Sequence, residues 1–124
     1  MYAAPPKVNL LVLRSPEIHR AAEFYRALGL LFTLDRHDTG PEHSTSQVDA
    51  FVLEIYPLGS NQLPTTSVRL GFSVDSVDEL LPLLRTAGAI VVSAPHDSPW
   101  GRRAVVKDLD GHTIELTTHP NRDS

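Results

Sequence analysis

The feature that most constrains the fold of this chain is an internal repeat. Residues 26–31 (RALGLL) are followed 59 positions later by residues 85–90 (RTAGAI). In both segments a glycine comes directly after apolar residues at helical spacing, and glycine is common just beyond the end of a helix. Similarity at a fixed offset indicates that one structural unit occurs twice. The chain is therefore predicted to fold as two copies of the same unit.

Each unit is predicted to run strand, helix, strand, strand, strand. The first helix is expected to begin at residues 15–17, with serine as the N-cap and proline at the first helical position, and to end at Gly29. The second helix is expected to begin at Ser76, because Glu79 three residues later completes a capping box. Pro82 lies inside this helix and is expected to distort it, since proline lacks a backbone donor.

The end of the second unit is predicted to be a hairpin around Asp110-Gly111, a strong turn signal. In the strand that follows, Ile114 and Leu116 alternate with Glu115, so the apolar pair is expected to face the core and Glu115 the opposite side. One helix for every four strands covers only one face of a sheet. The face that carries Glu115 is therefore left for a cavity, a partner or water.

The chain is predicted to be a single domain of 124 residues. The boundaries of its parts are expected to be residues 7–58 for the first unit, residues 59–66 for a linker, residues 67–118 for the second unit and residues 119–124 for a flexible tail. A long loop or an irregular hairpin is predicted over residues 35–47, which contain glycine, proline, aspartate and serine.

Composition narrows the classes of function. The chain has no cysteine, which excludes disulfides, a thiolate nucleophile and a cysteine-based metal centre. The net charge of −4 argues against nucleic acid as a partner, because phosphate binding needs a basic surface. No apolar run is long enough to span a membrane, and the start of the chain does not have the pattern of a signal peptide. A cytoplasmic protein with no membrane partner is expected.

Three stretches, in this order, resemble the vicinal-oxygen-chelate superfamily, which includes glyoxalase I, bleomycin-resistance proteins and extradiol dioxygenases. They are residues 9–30 with EFYRALGL at their end, residues 68–80, and residues 108–116 with the sequence DLDGHTIEL. The resemblance covers nearly the whole chain. It implies an α+β fold in which two tandem βαβββ units form curled mixed sheets around a cavity. It also implies a homodimer, with ligand sites near or across the subunit contact.

In metal-dependent members of that superfamily, the ligands come from the first and last strands of each unit and are typically His, Gln or Glu. The resemblance implies that Asn9, Glu54, Arg69 and Glu115 occupy these positions here. Arginine stays protonated and cannot ligate a metal, and asparagine offers only a neutral oxygen. We therefore expect no cofactor, with Arg69 in the place of the metal as a bridge between the two glutamates. The alternative is a divalent ion on Glu54 and Glu115, with His43 or water completing its coordination sphere.

Four further residues are candidates for the ligand cavity. His43 is expected in the long loop, either over the cavity mouth or simply on the surface. Tyr56 shares a strand face with Glu54. Trp100, the only tryptophan, is predicted either to stack on a planar ligand or to pack at a contact, and Arg102 either to reach the cavity rim or to be a surface charge.

The resemblance favours a metal-free protein of the bleomycin-resistance type that binds or sequesters a small molecule, such as a drug or a metabolite. The alternative is a metal-dependent lyase, isomerase or dioxygenase of the glyoxalase type. The two differ in one requirement, because the enzyme needs a divalent ion and the binding protein does not. The departures at Asn9 and Arg69 favour binding over catalysis.

Overall fold

The structure is a computed structural model that describes residues 4–120 and contains two βαβββ units. The first unit consists of β1 (Leu10–Ser15), α1 (Ile18–Leu28), β2 (Thr33–Asp35), β3 (His43–Val48) and β4 (Phe51–Pro57). The second unit consists of β5 (Arg69–Ser73), α2 (Val77–Thr86), β6 (Ile90–Ser98), β7 (Gly101–Lys107) and β8 (Thr113–Thr118). The predicted repeat and the α+β fold are confirmed. Most of the predicted tail, from residue 121 onward, lies outside the described residues.

Each unit forms a mixed four-stranded sheet with the same topology. The strand orders are β1-β4-β3-β2 and β5-β8-β7-β6. In each sheet the first and last strands of the unit are parallel, and the other neighbours are antiparallel. Glu54 therefore lies opposite Val12, and Glu115 lies opposite Gly71. Both glutamates occupy the middle of a central strand.

The hydrophobic core lies between the helices and one face of each sheet. The predicted alternation in β8 is confirmed, because Ile114 and Leu116 are fully buried while Glu115 points to the other side. Burying a side chain of this size typically contributes about 1.5–3 kcal/mol. The largest fully buried apolar side chains of the core are Phe24, Tyr25, Leu13, Ile55, Leu84, Ile114, Leu116, Val77 and Val106.

The two helices begin differently from one another. The prediction that Ser15 caps the first helix was wrong, since α1 begins at Ile18 and Ser15 is the last residue of β1. The hydroxyl of Ser15 instead accepts a hydrogen bond from the backbone of Glu17 at 3.1 Å. The predicted cap of α2 is confirmed, because Ser76 Oγ accepts a hydrogen bond from the backbone N–H of Glu79 at 3.1 Å. Pro82 is exposed, and α2 continues past it.

A buried hydrogen-bond network connects the two units. Tyr25 on α1 donates to Asp108 Oδ2 at 2.5 Å, and His112 Nδ1 donates to the same oxygen at 2.8 Å. The other oxygen of Asp108 accepts three backbone N–H groups, from residues 110–112, each at 2.9 Å. Nε2 of His112 lies 2.7 Å from the hydroxyl of Thr65, which belongs to the segment between the units. Every polar atom of the Asp108 carboxylate is therefore satisfied.

This network also determines the shape of the closing hairpin. The hairpin is present, but β7 and β8 are connected by five residues rather than by a two-residue Asp110-Gly111 turn. The Asp108 carboxylate accepts hydrogen bonds from the backbone N–H groups of residues 110–112, and these bonds hold the segment as a wider loop. Gly111 adopts a φ of 101° there, a conformation that favours glycine.

The environment of the network keeps Asp108 charged and Tyr25 neutral. Burial raises the pKa of Asp108, but the hydrogen bonds from His112 and Tyr25 outweigh burial and hold this pKa below its ordinary value. Burial and the negative charge of Asp108 raise the pKa of Tyr25 well above its ordinary range. Tyr25 therefore keeps its proton as a donor at all ordinary pH values.

Removing the Tyr25 hydroxyl is expected to destabilise the protein. Tyr25→Phe leaves one site on the buried carboxylate unpaired, so the free energy of unfolding should fall by roughly 1.5–3 kcal/mol in urea titrations. Tyr56→Phe is the matched control, because the hydroxyl of Tyr56 has no hydrogen-bond partner among the described residues. An equal loss in both variants would contradict a special role for the Tyr25 bond.

The contribution of Asp108 should depend on pH. Its pKa is lower in the folded protein than in the unfolded chain, so the stabilisation is complete above about pH 5 and is lost as the pH falls through about 4 and below. Urea titrations of the parent and of Asp108→Asn should therefore differ most at neutral pH, by roughly 1.5–3 kcal/mol. The two should converge in acid, and a difference that grows with acidification would refute this assignment.

Candidate functional site

Glu54 and Glu115 both lie on the sheet faces that turn away from the helices. Their strand neighbours Ile55 and Ile114 are buried in the core, which places the glutamates on the opposite side. Each glutamate, however, has its own partners within its own unit. The two carboxylates are therefore parts of separate clusters.

The second-unit cluster consists of Arg69, Arg103 and Glu115. Arg69 Nε donates to Glu115 Oε2 at 2.6 Å. Arg103 donates to Oε1 through Nε at 3.0 Å and through Nη2. The expected contact between Arg69 and Glu115 is present, and Arg103 joins it from β7. The predicted bridge from Arg69 to Glu54 was wrong, because Glu54 lies in the other sheet and pairs with His43 within residues 4–120. Hydrogen bonds from Arg69 and then from Arg103 hold the pKa of Glu115 below its ordinary value.

The first-unit cluster consists of His43, Glu54 and Tyr56. Nε2 of His43 lies 3.3 Å from Oε2 of Glu54. The imidazole stacks on the Tyr56 ring, with centroids 4.1 Å apart and planes inclined by 9°. His43 is the first residue of β3 and is fully buried, so the predicted loop is shorter than expected and this side chain is not on the surface. Arg14 places its guanidinium carbon 5.5 Å from the centre of the Tyr56 ring.

The strand registers change the correspondence between the two units. The resemblance implies that Asn9 and Arg69 are equivalent, but the register shows that Leu10 is the equivalent of Arg69, since each lies two residues before the residue opposite its glutamate. Asn9 precedes β1, and its backbone carbonyl accepts a hydrogen bond from Val52 at 2.8 Å. Asn9 is therefore not a neighbour of Glu54 in the ladder.

Asn9 and Arg69 do meet at a different place, which we call the inter-unit pocket. It has a volume of about 680 Å³ and is formed by residues from both units, with neither glutamate in its lining. Its walls are largely apolar, with Phe51 and Phe72 among them. Ser46 also lines the pocket, and its buried hydroxyl has no hydrogen-bond partner among the described residues.

Trp100 and Arg102 lie away from both clusters. Trp100 is in the connection between β6 and β7, and 68% of its surface is exposed. Arg102 is bound to Asp78 on α2 at 3.0 and 3.1 Å and to Asp97 at 3.3 Å, so it joins β7 to the helix. Hydrogen bonding to Asp78 raises the pKa of Arg102.

Arg103, which the sequence analysis did not select, is the arginine that reaches Glu115. A signal for it exists in the sequence. Ala104 and Val106 are the core residues of β7, and strand alternation then places Arg103 on the face shared with Glu115. The Tyr25–Asp108–His112 network was also missed, because Tyr25 lies 83 positions before Asp108 in the chain.

The residues at the positions implied by the resemblance do not fit a metal ion. Two guanidinium groups occupy the carboxylate of Glu115, and their combined charge repels a cation. Arginine offers no lone pair, and Asn9 lies beside the inter-unit pocket rather than beside Glu54. We therefore derive no reaction step from a metal at this centre.

Comparison with known proteins identifies the family. The profile of the Glyoxalase/Bleomycin resistance protein/Dioxygenase superfamily matches residues 7–116. Because this match covers most of the chain, the protein belongs to that superfamily. No curated protein sequence matches the chain. None of the helices in residues 4–120 is long and apolar enough to cross a membrane.

Solved structures share the fold. The antibiotic binding protein TnmS3 from Streptomyces sp. CB03234 superposes with a TM-score of 0.76 at 24% identity, over 96% of this chain and all of that one. A glyoxalase/bleomycin resistance protein/dioxygenase family enzyme from Burkholderia phytofirmans PsJN gives 0.74 at 17% identity, over 90% and 98% of the two chains. The hypothetical protein SA1046 from S. aureus gives 0.73 at 23%, over 91% and 96%. At these identities the likeness shows the fold alone.

The shared carboxylate should contribute to stability. Glu115→Gln leaves Arg69 and Arg103 near one another without the charge that holds them, and we expect a loss on the order of 1 kcal/mol in the free energy of unfolding. Glu42→Gln is the control, since Glu42 is exposed, lies outside both helices and has one ion-pair partner within residues 4–120, His19, at 4.0 Å. Equal stability of the two variants in urea titrations would show that the cluster is energetically neutral.

Proposed function

We propose that this protein binds a small organic molecule in the inter-unit pocket and does so without a metal at the Glu54 and Glu115 positions. The observation that carries the proposal is the combination of a pocket of suitable size with a charge pattern unsuited to a metal. A volume of about 680 Å³ lies in the range typical of ligand sites, roughly 300–1,000 Å³. The likeness to a protein described as antibiotic-binding supports this proposal.

The lining of the pocket favours a ligand with an apolar body and an anionic group. Phe51, Phe72 and neighbouring aliphatic residues supply apolar surface, and burial of such surface contributes roughly 25 cal/mol per Å². Arg69 supplies a cation at the wall, and its bond to Glu115 holds it in place before a ligand arrives. Ser46 offers a hydroxyl that lacks a protein partner.

We propose further that two copies of the chain pair around this region. Val8, Leu10 and Val48 are at least half exposed, and Val8 and Val48 also line the inter-unit pocket. Exposed apolar residues grouped at a pocket rim are typical of an interaction surface. A second copy would cover them and reduce the access of water to the ligand.

Binding can be measured with 8-anilinonaphthalene-1-sulfonate (ANS), an aromatic anion of fitting size, in the presence of EDTA. We expect saturable binding of ANS, with one molecule per chain. Arg69→Ala should weaken it by about tenfold or more, the equivalent of roughly 1.4 kcal/mol. Arg102→Ala is the matched control, because this arginine is bound to Asp78 and Asp97 outside the pocket.

Two results would contradict the proposed function. The first is binding of ANS only after a divalent ion is added. The second is an equal effect of Arg69→Ala and Arg102→Ala on the affinity, because binding would then not depend on the pocket. Circular dichroism of each variant checks that the fold is intact, which matters because ANS also binds partly unfolded proteins.

A further inference from the structure

We propose that Asp35, His37 and His43 form a binding site for one divalent transition-metal ion, with neither Glu54 nor Glu115 among its ligands and with no residue from the inter-unit pocket. Each of the three residues places one ligand atom within 4.8 Å of the other two. The proposal concerns the first unit alone and does not depend on the proposed function.

The hairpin of β2 and β3 brings these residues together. Asp35 ends β2 and is paired directly with His43, the first residue of β3. The connection folds back over this pair, since the backbone N–H of Gly40 donates to the carbonyl of His37 at 2.8 Å. The rings of His37 and His43 consequently lie 5.0 Å apart, and His37 Nε2 is 3.9 Å from Asp35 Oδ2. Two imidazoles and one carboxylate thus converge at one end of the sheet.

The hydrogen bonding of His43 makes it a suitable ligand. Nδ1 lies 3.2 Å from the carbonyl oxygen of Pro41, and since a carbonyl only accepts, this nitrogen carries the hydrogen. In the neutral ring, Nε2 therefore bears a lone pair. This nitrogen is buried and has no hydrogen-bond partner among the described residues. A histidine that ligates a metal through one nitrogen usually donates a hydrogen bond to a carbonyl or carboxylate through the other.

The position of Glu54 favours a positive charge near Nε2. In the neutral ring, the lone pair of Nε2 faces a carboxylate oxygen of Glu54 at 3.3 Å. A bound cation relieves this repulsion. Glu54 and Asp35 together also balance the charge of a divalent ion.

A second group of possible ligands provides a contrast. Asp108, Asp110 and His112 also lie within 4.8 Å of one another. Both oxygens of Asp108 are already occupied by hydrogen bonds, and Nδ1 of His112 donates to one of them. The carboxylate of Asp108 therefore has no free oxygen for a metal ion, whereas Nε2 of His43 has no hydrogen-bond partner among the described residues. The mixture of imidazole and carboxylate favours Zn²⁺, Co²⁺ or Ni²⁺ over Mg²⁺ or Ca²⁺.

The test is a titration of the tag-free 124-residue chain with Co²⁺, followed by the visible absorption of the bound ion, and then displacement with Zn²⁺. We expect one Co²⁺ per chain. His37→Ala and Asp35→Asn should each weaken binding on the order of 100-fold. Both residues are exposed, so these variants should keep the fold. His19→Ala and His96→Ala, which alter exposed histidines elsewhere, should bind as the parent does.

The proposal is overturned if the parent chain shows no saturable binding, since His43 would then be paired with Glu54 through a proton alone. It is also overturned if His37→Ala and His19→Ala lose equal affinity. Glu115→Gln should leave Co²⁺ binding unchanged. A loss of binding in Glu115→Gln with full retention in His37→Ala would place the ion at the glutamate centre and refute the site described here.

Discussion

The relative placement of the two units depends on the buried carboxylate of Asp108. A charge in this position is costly unless every lone pair is satisfied, and the satisfying groups come from α1, from the loop between β7 and β8, and from His112. Through His112 the network continues to Thr65, between the units. All of these segments must be in place together. The same loop determines where β8 begins, and therefore which of its side chains face away from the core.

The face of β8 on which Glu115 lies determines which side chains can bind its carboxylate. Glu115 lies on the face of the sheet that is turned away from the core, where Arg69 and Arg103 donate hydrogen bonds to its carboxylate oxygens. A position that holds a metal in other members of the superfamily therefore holds an ion cluster with a net positive charge. In the first unit the equivalent glutamate meets a buried histidine instead. The two halves of the repeat thus keep their topology but differ in charge, which favours different ligands on the two sides.

The parts of this arrangement that depend on local periodicity could be predicted from the sequence. The repeat, the cap of α2 at Ser76 and the alternation in β8 each follow from residues within a few positions of one another. The contact between Arg69 and Glu115 was also predictable, because an arginine stands where metal-dependent members of the superfamily have a metal ligand. Arg102 was selected rather than Arg103, although the two are successive residues of β7 and alternation turns only Arg103 toward Glu115. The resemblance placed Asn9 beside Glu54, but the register gives that position to Leu10, one residue further along the chain.

The sequence by itself determined the repeat, the order of helices and strands, and the superfamily, because glycines, caps and alternating apolar residues act over short distances along the chain. Only the tertiary structure decided which polar groups meet. Tyr25 and Asp108 are separated by 83 positions, and Arg69 and Glu115 by 46. His43 became a buried residue only because the β2–β3 hairpin folds over it. Contacts of this kind depend on strand register and on the packing of one unit against the other, which no local pattern specifies.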